Sequence, residues 1–245
     1  MTFKEFFQKL GKGIRNNFFN IKWRCIVCGK EVFDGKSYCD ECYQSLPFND
    51  KTICEHCGRK VIAFEKYCST CKGVMVSLDK CRSVYNYEPP ISALIKRAKY
   101  NNRKYLLDCF AEDLSNLYFK NYFNADYLTF VPMTEKAKRK RGYNQSQVLC
   151  EKVSNITKVP VFYGIEKIKQ TERQAKLNRE QRLKNLKDAF HVKVRKDIKD
   201  KVIAIVDDVS TTGSTGEALA SKLKSAGAKS VNLITVASVP PIEKY

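Results

Sequence analysis

Two strings in this chain of 245 residues carry residue types that do chemistry. The first is made of cysteines. Cys25, Cys28, Cys39 and Cys42 read CIVC, ten residues, then CDEC; Cys54, Cys57, Cys68 and Cys71 read CEHC, ten residues, then CSTC. A shift of 29 residues carries one set onto the other, and with it Gly29 onto Gly58, Val32 onto Val61 and Tyr38 onto Tyr67. This is a duplicated module. Two C-x-x-C pairs offer four sulfurs, which fill a tetrahedral Zn²⁺ and leave no position for water, so the expected chemistry is structural. So short a module cannot bury enough core and relies on its metal. One Zn²⁺ per repeat is the simplest pairing, and a cross-braced pairing is the alternative. His56 lies inside a C-x-x-C and is not counted as a ligand. Cys81, Cys109 and Cys150 have no partner at metal spacing and are expected as small buried hydrophobes.

The second string is VIAIVDDVSTTGSTG, Val202–Gly216. Five consecutive apolar residues, 202–206, suit a strand buried on both faces. Asp207 and Asp208 follow at its carboxyl end, then Val209, Ser210, Thr211, Thr212, Gly213, Ser214 and Thr215 lead into a helix. In open α/β sheets ligands bind beyond the carboxyl ends of the strands. A helix N-terminus offers unpaired amides and positive dipole potential to a phosphate, hydroxyls add donors, and Gly213 lets the backbone approach. Two carboxylates would repel that phosphate unless they address sugar hydroxyls or a metal. An acidic turn with an ordinary Ser/Thr cap is the plain alternative.

The elements around these strings follow from hydrophobic periodicity. Strands are expected at 84–87, 127–131 (stopped by Pro132), 161–168, 201–206 and 230–239, and helices at 91–98, 105–119, 146–156 and 214–226. Their alternation predicts an α/β fold with a mostly parallel sheet flanked by helices, preceded by a small cysteine-rich module. The expected domains are 1–24, an amphipathic segment; 25–80, two four-cysteine modules; and 81–245, the α/β domain. In residues 1–24, Phe3, Phe6, Phe7, Leu10, Ile14 and Phe18 fall at helical steps with lysines off that face. The segment reads as a helix packed on the body; the alternative is peripheral contact with a membrane through residues 1–20, at its inner face. No stretch reaches the roughly 18 apolar residues of a membrane span, and the N-terminus lacks a secretory signal, so the cytoplasm is expected.

The strings together resemble a known family. VDDVSTTGST is similar to the phosphoribosyl pyrophosphate (PRPP) signature of type I phosphoribosyltransferases. That resemblance implies Asp207 and Asp208 on the ribose hydroxyls, in some members with Mg²⁺ nearby, and Thr211–Thr215 on the 5′-phosphate. The cysteine modules, then YEPPISALIKRAKYNN, VPMTEKAKRKRGYNQSQ, TERQAKLNREQRLKNLKDAF and VDDVSTTGST, in that order over about residues 22–238, resemble the ComF family. Its members combine a double zinc ribbon with a type I phosphoribosyltransferase-like domain, and some serve natural transformation, in which single-stranded DNA enters the cell. The resemblance implies PRPP, single-stranded DNA and a helicase or DNA-uptake machinery as partners. It implies a pyrophosphate or substrate side at Arg139, Arg141, Asn144 and Gln145, and a hood bearing Arg173, Gln174 and Arg179. Ser210 departs from the aliphatic residue common among relatives.

The formal net charge is +19, and eight thiolates around two Zn²⁺ would lower it to about +15. Residues 136–187 hold 15 Lys and Arg against four Asp and Glu, a net +11. So much charge exceeds what PRPP needs and suits a strip along a nucleic-acid backbone, with Lys136, Lys138, Arg139, Lys140 and Arg141 as candidates. A solvated surface is the plain alternative. Tyr143 and Tyr163 are the aromatics that could stack on bases, while His191, between Phe190 and Val192, reads as an ordinary strand residue. Three functions compete: a competence-type protein binding PRPP and DNA; an active phosphoribosyltransferase of nucleobase or nucleotide metabolism; and a zinc-ribbon nucleic-acid adaptor whose α/β domain is non-catalytic. No side chain in these strings is marked as a general base.

Overall fold

A computed structural model of the chain describes residues 24–240 except 34, 50–51, 60, 62–64, 69–70, 73–76, 101–102, 104, 122, 169–185, 187 and 195. The expectation for residues 1–24 therefore lies almost wholly outside the described residues. The chain divides into two compact units, Met1–Leu46 and Pro47–Tyr245.

Among the described residues, the smaller unit holds the first cysteine module and a short helix, α1 (Asp40–Gln44). Its first C-x-x-C folds as a tight knuckle. Cys25 N donates to Lys30 O, Gly29 N to Cys25 O, and Ile26 N to Ser37 O. Gly29 closes the turn with φ +77°, a conformation open to glycine.

The larger unit is built on a four-stranded parallel sheet in the order β1 (Lys80–Asn86), β6 (Ser230–Ser238), β5 (Val202–Ser210), β2 (Tyr127–Phe130). The crossovers are α2 (Ile91–Tyr100), α3 (Leu106–Lys120), α4 (Glu135–Arg141), α5 (Gln145–Thr157) and α6 (Ser214–Ser225). Helices α3 and α5 pack together on one face. Helix α6 covers the other, where Leu219 and Leu223 meet Ile203, Ile205 and Leu233. Residues one apart on β5 thus serve opposite layers, which is why the strand is apolar without alternation. Cys81, Cys109 and Cys150 are all buried.

Most elements fall where periodicity puts them. Two differ. Strand β5 runs on through Asp207 to Ser210, because β6 continues to pair with it, Asp207 to Thr235 and Ser210 to Ser238. The segment read as one strand over 161–168 is split. Val161 pairs with Leu128 beside the main sheet, whereas β3 (Ile165–Lys167) pairs antiparallel with β4 (Phe190–Val192) in a separate ribbon. Gly164 lets the chain turn there: a Cβ would lie 2.4 Å from the Phe162 ring.

The edge of β1 is covered by the preceding chain. Asn49 N donates to Val84 O, Asn86 N to Pro47 O, and Cys81 N to His56 O. Edge groups that would otherwise template another chain are satisfied. Among the described residues no helix is long and apolar enough to cross a membrane.

Candidate functional site

The carboxyl end of β5 opens into a cavity of about 280 Å³. Of the nine residues 207–215, all but Thr212 line it. Gly213, at φ +77°, turns the chain from strand into α6. Thr212 Oγ1 and Ser214 Oγ lie 2.7 Å apart and brace the turn. Helical bonding begins where Glu217 N donates to Gly213 O, so the amides before it have no intrahelical acceptor and suit an anion.

The paired acids are not equivalent. Ser146 Oγ on α5 donates to Asp207 Oδ1 at 2.6 Å, and Asp208 N donates to the same oxygen at 2.9 Å. Burial and the Asp208 charge outweigh these donors and push the Asp207 carboxyl up to about 7. Asp208 has its own cation, the Lys99 ammonium of α2, at 2.6 Å. Burial pulls the Lys99 pKa down, but Asp208 and then Asp207 more than offset this, and it lies above its ordinary value. Lys99 also lines the cavity, as do Tyr87, Leu233 and Val239. Lys99 lies in YEPPISALIKRAKYNN and Ser146 in VPMTEKAKRKRGYNQSQ, but neither string by itself gives its residue a role. The available signal for Lys99 was its place next to Ala98 and one turn after Ile95, on the rim of the buried face of α2.

The basic side is built from α4 and the turn after it. Thr134 Oγ1 caps α4 by accepting from Ala137 N, and Gly142, in the left-handed region, ends it. Lys136, Lys138, Arg139 and Arg141 are exposed. Arg141 donates to Gln145 Oε1 at 3.0 Å and lies near enough to Lys99 to oppose its charge. Asn144 and Gln145 are buried. Asn144 Oδ1 accepts from Ser146 N and its Nδ2 donates to Val131 O, so it caps α5 and ties that helix to the end of β2. Tyr143 is buried and donates to Ala98 O, which removes it as a stacking platform. Tyr163 is exposed, edge-on to Phe130. Arg173, Gln174 and Arg179 lie outside the described residues.

The cysteines gather as two groups, Cys25, Cys28, Cys39 and Cys42 in the smaller unit, and Cys54, Cys57, Cys68 and Cys71 in the larger. Within each, the sulfurs lie within 4.8 Å of one another. Bonds of about 2.3 Å to a tetrahedral Zn²⁺ set sulfurs about 3.8 Å apart. The Cys28–Cys39 and Cys57–Cys68 separations, 3.7 and 3.6 Å, fit that geometry. The Cys71 thiol bonds to Cys57, and Arg59 adds backbone and side-chain donors; together they push the Cys57 thiol down to about 4 against burial. His56 stands outside the group, with its Nε2 3.2 Å from Glu217 Oε1.

These features define a class: a double zinc ribbon joined to a type I phosphoribosyltransferase fold. Residues 22–72 match the double zinc ribbon domain, and residues 143–243 match the phosphoribosyl transferase domain. Competence protein F of Haemophilus influenzae is 31% identical over 229 residues, covering 89% of this chain and 96% of that protein. DNA utilization protein YhgH of Escherichia coli K12 is 30% identical over 161 residues, covering 62% of this chain and 68% of that one. The chain belongs to the ComF family. Among solved structures, an allosteric regulatory enzyme of purine biosynthesis is similar at 20% identity with a TM-score of 0.38; the match covers 54% of this chain and only 26% of that one. A purine phosphoribosyltransferase from Pyrococcus horikoshii is similar at 20% identity with a TM-score of 0.33, covering 56% and 89%. The sheet order and the domain match, not these scores, define the fold.

Proposed function

We propose that this chain binds PRPP at residues 207–215 and single-stranded DNA along its basic segment, as a cytoplasmic DNA-uptake protein. The observation that carries the reading is the cavity at the end of β5. It combines paired acids for the ribose hydroxyls, a hydroxyl-rich helix N-terminus for the 5′-phosphate, and Lys99 for further anionic charge. Asp207 and Asp208 would hold any Mg²⁺ that accompanies PRPP, and the ion would offset part of the ligand's negative charge. The two cysteine groups would each hold one structural Zn²⁺. DNA utilization protein YhgH carries DNA handling in its name and Competence protein F carries competence, and the exposed cations of α4 support a DNA-binding role here. A helicase or uptake channel would be the protein partner.

The test has two arms. PRPP at about 100 times its Kd should stabilise the protein by about 2.7 kcal/mol, and Asp207→Asn with Asp208→Asn should abolish the shift. DNA affinity should fall steeply with salt, and Lys136→Ala with Lys138→Ala should flatten that slope by about 1.4. An undiminished PRPP shift in the double Asp variant, or salt-independent DNA binding, would remove the corresponding half.

A second reading is favoured by one observation, the place of Asp207 on the cavity wall, where Ser146 holds it and burial and the Asp208 charge push its carboxyl up to about 7. Phosphoribosyl transfer breaks the C1–O bond to pyrophosphate, forms a bond from C1 to the acceptor, and sends the acceptor's proton to a base. A carboxylate poised near pH 7 suits that last role. Pyrophosphate release across a panel of bases and amines tests it, and no release with any acceptor would leave a binding protein.

A further inference from the structure

Glu217 belongs to neither the phosphate signature nor the cysteine repeat, yet it is buried in the first turn of α6, directly behind the phosphate loop. Its Oε2 accepts from Ser77 N at 2.7 Å and from Leu78 N at 3.3 Å. Its Oε1 faces His56 Nε2, and both side chains are only 11% exposed. His56 is the third residue of the CEHC knuckle, and its own carbonyl accepts from Cys81 N on β1. Gly58 presses the knuckle onto that strand: a Cβ there would lie 2.3 Å from Cys81 O. Between Cys57 and Cys71 on one side and Thr212 and Gly213 on the other, the remaining space is about 10 Å³. One water needs about 10–15 Å³. The back of the phosphate loop and the wall of the second cysteine group thus line one narrow cleft. Thr212, the one motif residue that does not line the ligand cavity, faces this side.

We infer that the second cysteine knuckle is a strut for the phosphate loop, with His56 and Glu217 as positioning residues that set PRPP affinity. The inference rests on the PRPP reading above. A helix N-terminus binds an anion only as well as its amides are held in place, and local opening of the first turn weakens it. Glu217 fixes that turn from behind by joining α6 to the knuckle and to residues 77–78. An intact second group holds His56 in position.

The experiment uses the full-length, zinc-loaded protein. PRPP titration calorimetry and amide exchange of residues 211–217 are measured for wild type, His56→Ala, Glu217→Ala and Glu217→Gln. Val27→Ala, the equivalent position of the first knuckle, is the control. His56→Ala and Glu217→Ala should each weaken PRPP about tenfold, the size of one buried hydrogen bond to a charged group, and the double variant should lose little more. Glu217→Gln, which keeps an acceptor for Ser77 N, should recover part of the loss. Exchange over 211–217 should quicken in the ligand-free His56→Ala protein and stay unchanged in Val27→Ala. Unchanged PRPP affinity and exchange in both alanine variants would overturn the inference. Failure of wild type to bind PRPP would instead remove the functional reading, and the exchange data would still decide whether the strut exists.

Discussion

The two cysteine modules are the same fold used in two ways. Three hydrogen bonds recur at the 29-residue shift: Cys25 to Lys30 and Cys54 to Arg59, Gly29 to Cys25 and Gly58 to Cys54, Ile26 to Ser37 and Glu55 to Lys66. Both knuckle glycines have positive φ. Their surroundings differ. Cys28 is exposed, whereas its equivalent, Cys57, is half-buried. A Cβ on Gly29 would meet no described atom within 4 Å, whereas one on Gly58 would collide with β1. Position 27 is an aliphatic residue in the first knuckle, and its equivalent, His56, reaches Glu217 in the second. Duplication kept the metal-binding geometry, and the second copy took up an additional load: covering a sheet edge and bracing the phosphate loop.

That contrast can be broken by matched substitutions. The largest effect is expected from the ligands. Cys68→Ser should lower the melting temperature of the Pro47–Tyr245 unit by about 10 °C, whereas Cys39→Ser should leave that transition in place. Calorimetry of both variants, and of the wild type after chelation, checks this. Next come the glycines. Gly29→Ala should cost about 1–2 kcal/mol, for the left-handed backbone alone. Gly58→Ala should cost about 3–4 kcal/mol, because the clash with Cys81 O adds an overpacking penalty. Urea unfolding followed by amide exchange assigns each loss to its unit.

A smaller effect sharpens why the larger unit needs a brace: it carries a buried acid. Because the folded-state pKa of Asp207 is raised to about 7, the folded state holds that proton more tightly than the unfolded state. Stability should fall as pH rises from about 4 through about 7, and level off above. Asp207→Asn should lose this slope and be more stable than wild type at pH 8, by on the order of 2 kcal/mol. Equal slopes in both proteins would contradict the assignment. Least of all should come from the surface pairs Lys30–Glu41 and Lys66–Glu55, both exposed. Lys30→Ala and Lys66→Ala should leave both unfolding midpoints unchanged, so that any asymmetry traces to the buried contacts.

What could be read from the sequence was what is contiguous in it. The cysteine repeat and VDDVSTTGST each carry their chemistry within one short string, and the strand–helix alternation fixed the parallel sheet. The pieces that were not legible join residues far apart. Lys99 meets Asp208 only because α2 returns over the end of β5, and Ser146 meets Asp207 only because α5 packs beside it. His56 and Glu217 are 161 positions apart. The extent of β5 depends on its partner strand rather than its own composition. Asn144, expected on the substrate side, has a structural role that the motif did not announce: its side chain caps α5 and ties it to Val131.

The PRPP-binding and transfer roles proposed for the chain converge on the cavity at the end of β5. Isothermal titration of PRPP into the zinc-loaded wild type and into the Asp207→Asn, Asp208→Asn variant tests it most directly. Saturable binding by wild type, lost in the variant, is the predicted result; equal binding by both proteins, or none by wild type, would contradict it.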